Sequence, residues 1–74
     1  MEMYWIGFYL DEKGNRVRGN WKTTEDQVNE EANSYLYQRQ LGLTLLEKGK
    51  IEKSKVEAIA SEQKCSVSDV LSSL

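Results

Sequence analysis

GLTLLEKG, residues 42–49, is the stretch on which the fold turns. Gly42 suits the C′ position of a helix, where a left-handed backbone costs glycine nothing. On that reading a helix stops just before it. Alternatively, the helix continues through Leu43, Thr44, Leu45 and Leu46 and ends at Gly49. Leu43 and Leu46 prolong an apolar stripe set by Val28, Ala32, Tyr35 and Leu36 at helical spacing. The stripe favours one long helix over residues 24–48, with an interior Gly42 costing about 1 kcal/mol relative to alanine. Thr24 with Gln27 forms a capping-box signature at its start, and Glu25 and Asp26 suit its first turn. Gly49 to Lys53 then reads as a connector.

Upstream, residues 3–22 read as a β-hairpin. Met3–Leu10 is rich in aromatic and other β-forming residues. Asp11-Glu12-Lys13-Gly14 suits a type I turn, with Gly14 supplying a positive φ. Pairing Asp11 with Asn15 sets a register. Tyr9 then faces Val17, Gly7 faces Gly19 and Trp5 faces Trp21. On the other face Leu10 meets Arg16, Phe8 meets Arg18, Ile6 meets Asn20 and Tyr4 meets Lys22. Gly7 and Gly19 leave a gap on the tryptophan face that something must approach closely, either a helix of the same chain or a partner's side chain. The opposite face sets Tyr4 and Phe8 beside Arg16, Arg18 and Lys22. Long basic stems can shield aromatic rings there, or the surface can be a binding face.

Downstream, Ser54 with Glu57 and Ser66 with Asp69 are further capping signatures, for helices over residues 54–63 and 66–74. Cys65 and Val70 fit a hydrophobic staple. VEAIASEQKCSVSDVLSSL, residues 56–74, resembles a helix-turn-helix: Val56, Ile59, Ala60, Ser66, Val70 and Leu74 occupy the places of that motif's pattern. The resemblance implies DNA recognition by the last helix. Lys64 stands where the motif has its turn glycine and Cys65 where it has an apolar residue, and residues 67–74 contain no Arg, Lys, Asn or Gln to read base edges. More faintly, the Asp11-x-x-Gly14 turn followed by Thr23 and Val28 resembles the small arm-binding domains of phage-type integrases. That resemblance implies a sheet face reading DNA through Arg16, Arg18 and Lys22. The third strand of those domains has no counterpart in this hairpin-and-helix reading.

The fold expected is therefore α+β: an N-terminal β-hairpin, one long helix and a short C-terminal helical pair, within a single small domain of 74 residues. Its expected core is one hairpin face with Val28, Ala32, Tyr35, Leu36, Leu43, Leu46, Val56, Ile59, Val70 and Leu71. There is no histidine and only one cysteine, so neither a Cys/His zinc site nor a His-based catalytic arrangement can be built from this chain. No catalytic, cofactor-binding or metal-ligating residue is expected, and no small-molecule substrate. A net charge of −2 argues against a dedicated nucleic-acid binder. The lone cysteine and the lack of a signal-like or membrane-length apolar segment point to a cytoplasmic protein without membrane association. The function expected is a non-enzymatic interaction or regulatory module that binds a protein partner or a second copy of itself, such as a phage-type inhibitor or accessory factor. Its partner-binding residues would be Tyr4, Phe8, Arg16, Arg18 and Lys22, with Trp5 and Trp21 if helices cover the other face. The alternative is a small DNA-binding regulator using the Arg16/Arg18/Lys22 face or residues 56–74.

Overall fold

Met3–Leu10 forms β1, the middle strand of a three-stranded antiparallel sheet; the computed structural model describes residues 2–74. Arg16–Arg18, β2, flanks it on one side and Thr44–Glu52, β3, on the other. Three helices complete the α+β fold: α1 at Glu25–Ala32, α2 at Lys53–Gln63 and α3 at Val67–Ser73. A short π-helix, Leu36–Gln40, follows α1 and is called the π turn below.

The long helix expected over residues 24–48 is not formed. Its capped start is real, since Thr24 Oγ1 accepts the N–H of Gln27 at 3.2 Å. The helix then stops at Ala32, where Asn33 and Ser34 compete for the backbone, as short polar side chains do. Ser34 Oγ donates to the Glu31 carbonyl at 2.7 Å and accepts the Tyr37 N–H at 3.2 Å, turning the chain into the π turn. Gly42 adopts φ +62, and the Leu43 N–H closes on the Tyr37 carbonyl at 2.7 Å, so the glycine ends the helical segment. The next nine residues pair with β1 along its full length, from Met3↔Glu52 to Leu10↔Thr44. The supposed end of the helix and the supposed connector are together the third strand.

Both faces of β1 are covered by the chain's own helices. Alternation places Trp5, Gly7 and Tyr9 on one face, under α1, whose Val28 is fully buried and whose Glu31 meets Tyr9. Tyr4, Ile6 and Phe8 lie on the other. There Tyr4, Trp21 and Ile51 pack against a core of Val56, Ala60, Val70 and Leu71 from α2 and α3. The expected core holds for Val28, Leu43, Val56, Val70 and Leu71, whereas Tyr35, Leu36 and Leu46 are exposed.

The hairpin register is Phe8↔Arg18, Tyr9↔Val17 and Leu10↔Arg16, as the turn chemistry implies. Beyond Gly19 an extra residue enters, and Trp5 bridges Lys22 instead of Trp21. The slip exchanges the two side chains between faces. Trp21 joins Tyr4 against α2 and α3, and Lys22 joins Trp5 under α1. The C-terminal pair forms as two helices joined through Lys64, which takes the left-handed conformation at φ 55 that glycine fills in helix-turn-helix proteins. Ser66 caps α3 by accepting the Asp69 N–H at 3.1 Å, and Cys65 packs on the Val70 cluster. The Ser54 capping box is not made; α2 starts from Glu52, with the Lys53 N–H bonded to the Glu2 carbonyl at 3.0 Å.

Candidate functional site

The seven residues that the sequence singles out all have partners within the chain and fall into four groups. Arg16 reaches across β1 to pair with Glu47 on β3, and its guanidinium lies 4.8 Å from the Phe8 ring centre. Arg18 donates to the Leu71 carbonyl at 2.7 Å, and Trp21 Nε1 donates to the same oxygen at 2.9 Å. That oxygen lies in the last turn of α3, where the helix dipole favours a cation. Tyr4 carries the Lys53 ammonium over its ring at 5.4 Å and packs against the α2–α3 core. Trp5 and Lys22 lie on the opposite face: Lys50 sits over the Trp5 ring, and Lys22 pairs with Glu31 at 3.3 Å. The structure thus gathers Tyr4, Phe8, Arg16, Arg18 and Trp21 on one face and separates Trp5 and Lys22 from them.

The gap left by Gly7 and Gly19 is filled from within. A Cβ on Gly7 would fall 2.8 Å from the Tyr9 hydroxyl, and one on Gly19 would fall 2.7 Å from Glu31 Oε1. The Tyr9 ring therefore leans back along its own strand over both glycines. Its hydroxyl donates to Glu31 Oε1 at 2.7 Å, and its ring meets Tyr37 edge-on at 5.0 Å. Burial alone would raise the Glu31 carboxyl, but hydrogen bonds from Tyr9, Lys22 and Tyr37, with the Lys22 charge, hold it below its usual value. Burial and the adjacent Glu31 charge push both Tyr9 and Tyr37 hydroxyls above the usual tyrosine value. This buried network fastens α1 and the π turn to the sheet.

The exposed apolar side chains lie elsewhere. Tyr35 is 70% exposed, and Leu36, Leu41, Leu46 and Leu74 are about half exposed; the first four belong to one segment of twelve residues, 35–46. Its centre is the π turn, in which the Leu41 N–H bonds the Leu36 carbonyl at 2.9 Å, so that the two leucines stand one wide turn apart. The widened turn directs Tyr37 inward onto Tyr9 and leaves Tyr35, Leu36 and Leu41 to solvent. π turns concentrate at functional sites because they re-aim side chains at a cost to the helix. Helical spacing alone assigns Tyr35 and Leu36 to the core. Asn33-Ser34 and Gly42, which bracket the segment, are the available signals that it is separate from α1.

Beside the π turn a cleft of about 650 Å³ opens between α1 and the start of β3. Ala32, Leu43 and Leu45 form its apolar part, and Glu12, Asn29, Asn33, Gln38 and Thr44 supply polar groups. Among the described residues no cluster of three or more His, Cys, Asp or Glu could hold a metal ion, and no helix is long and apolar enough to cross a membrane. Comparison with protein-family models, curated proteins and solved structures gives no match.

Proposed function

We propose that this chain is a non-enzymatic module that acts by binding a protein partner through the π turn, with Tyr35, Leu36 and Leu41 as its apolar contacts. The observation that carries this reading is the concentration of exposed large apolar side chains in residues 35–46, while both faces of the sheet carry helices. Large exposed apolar patches mark interaction sites, whereas single scattered side chains do not. The hairpin residues that the sequence offers as anchors have a weaker claim, because Arg16, Arg18 and Lys22 already have partners within the chain.

The alternative, DNA binding, is supported by β3, which supplies the third strand typical of the integrase-type arm-binding domains. Against it stand the helices on both sheet faces and the charge of residues 53–73, where Lys53, Lys55 and Lys64 are balanced by Glu57, Glu62 and Asp69.

The test is affinity capture with the wild type and with a Leu36→Glu/Leu41→Glu variant, followed by measurement of Kd for the captured protein. Both leucines are about half exposed, so the variant keeps its fold. A specific protein should be held by the wild type and lost by the variant. Capture unaffected by the variant, or steeply salt-dependent binding to a DNA duplex, would overturn the proposal.

A further inference from the structure

The cleft next to the π turn has a chemistry of its own, and it selects for a particular kind of side chain. Its volume, about 650 Å³, is in the range of ligand-binding clefts, and it opens to solvent. Glu12 is the single charge among its lining residues, and Lys48, which reaches the rim at Asn29, is paired with Glu25. Glu12 is exposed and, like most carboxylates of the described residues, makes no ion pair. Gly42 keeps the Glu12 side chain at this position, since a Cβ there would fall 2.7 Å from Glu12 Oε1.

The neutral groups of the rim are oriented. Lys48 Nζ donates to Asn29 Oδ1 at 3.3 Å, and Gln38 Nε2 donates to Asn33 Oδ1 at 3.3 Å. The second bond leaves Gln38 Oε1 with no internal donor among the described residues. The cleft therefore offers an unpaired carboxylate and an unused amide oxygen above aliphatic Ala32, Leu43 and Leu45.

We infer that this cleft receives an arginine side chain of the protein partner. Its methylenes lie on Leu43 and Leu45, and its guanidinium meets Glu12 and the Gln38 amide oxygen. The inference rests on the protein-binding reading above and deepens it. A guanidinium is favoured over an ammonium because its planar fork of five donors can satisfy a carboxylate and a second acceptor together, whereas an ammonium is a compact, strongly hydrated charge. A side chain of the partner is favoured over a free small molecule because Glu12 also borders a shallower hollow with Asp11, Lys13, Asn15 and Leu41. Leu41 joins that hollow to the apolar π turn, so one partner segment can lay apolar residues on Leu36 and Leu41 and place an arginine in the cleft.

The experiment is an amide-resolved NMR titration of the whole chain with Nα-acetyl-arginine methylamide, with the norleucine and lysine analogues as controls. The arginine compound should shift the Gly42 and Thr44 backbone amides and the side-chain amides of Asn33 and Gln38, more strongly than lysine and far more than norleucine. In Glu12→Gln, an exchange on the exposed β1–β2 turn, the apparent Kd should rise about two- to fivefold, in line with loss of an exposed ion pair. Should that variant disturb the whole spectrum, Gln38→Ala on the exposed π turn makes the same test. Absence of shifts at these amides, equal response to norleucine, or an unchanged Kd in both variants would overturn the inference. The titration needs no partner, so its failure leaves the Leu36/Leu41 capture experiment standing as a separate test of protein binding.

Discussion

Gly19→Ala should be among the most damaging single-methyl additions this chain can suffer. The backbone at Gly19 does not need a positive φ, so alanine meets no conformational obstacle there. The obstacle is space. The new Cβ would fall 2.7 Å from Glu31 Oε1, 2.8 Å from the Gly7 carbonyl oxygen and 2.8 Å from Tyr9 Cε1. Ordinary contact begins near 3.4 Å, so each neighbour must retreat by about 0.6 Å. None can do so freely. The Gly7 carbonyl is bonded to the Gly19 N–H at 2.8 Å, Tyr9 is completely buried, and the Glu31 carboxylate is held by Tyr9 and Lys22. Overpacking of this kind costs about 1–3 kcal/mol. Weakening the Tyr9–Glu31 bond removes part of the ~1.5–3 kcal/mol typical of a hydrogen bond to a charged group. The smaller unfolded-state entropy of alanine returns ~0.4–1 kcal/mol. A net loss of about 2–3 kcal/mol follows, which lowers Tm by about 10–20 °C in a domain of this size.

Thermal melts followed by circular dichroism measure it. Tyr9→Phe, which removes only the hydroxyl, should cost ~1.5–3 kcal/mol. The double variant should lose less than the sum, since both changes break the same bond to Glu31. A Gly19→Ala protein melting within about 2 °C of wild type, or strict additivity with Tyr9→Phe, would refute the packing of Tyr9 over the two glycines.

Three further outcomes are expected. Because the Glu31 carboxyl is depressed below its usual value of 4.5, its contribution to stability is complete above about pH 4.5 and is lost as the pH falls through the native value. Urea titrations should therefore show the difference between wild type and Glu31→Gln shrinking below pH 4.5, and a constant difference would contradict the network. Trp21→Phe removes one of three donors to the Leu71 carbonyl while the Arg18 and Leu74 bonds persist, so the hydrogen-bond loss should be modest, about 0.5–1.5 kcal/mol by chemical denaturation. Gly42→Ala forces a Cβ into φ +62 and against the Glu12 side chain, and should cost about 1–2 kcal/mol by the same assay.

The parts of this fold legible in the sequence are those set by local chemistry. The Asp11–Gly14 turn fixes three cross-strand pairs correctly, and Thr24 and Ser66 cap the helices they are expected to cap. What is hidden depends on partners distant in the chain. In β3, Leu45 faces the α1 side with Tyr9, whereas Glu47, Gly49 and Ile51 face the other side with Phe8, Ile6 and Tyr4. A bulge between the two runs shifts the phase of the alternation, so no period of two extends through residues 44–52, and the leucines mimic a helical stripe instead. Pairing with β1 then overrides the helical preference of Leu45, Leu46, Glu47 and Lys48. One extra residue after Gly19 likewise exchanges Trp21 and Lys22 between faces, and nothing in the local sequence announces it. β1 is apolar on both sides because it is the central strand of a sheet with helices on each face. The exposed π turn becomes visible only once Tyr35 and Leu36 are known to lie outside α1.

Hydroxyl-radical footprinting of the free chain, read by mass spectrometry, tests most directly where the available apolar surface lies. With each rate divided by the intrinsic reactivity of its residue type, Tyr35 and Leu36 should be least protected, Tyr9 and Val28 strongly protected, and Trp5, Phe8 and Trp21 more protected than Tyr35. Phe8, Trp5 and Trp21 less protected than Tyr35 on the same scale would contradict this and return the hairpin face as the binding surface.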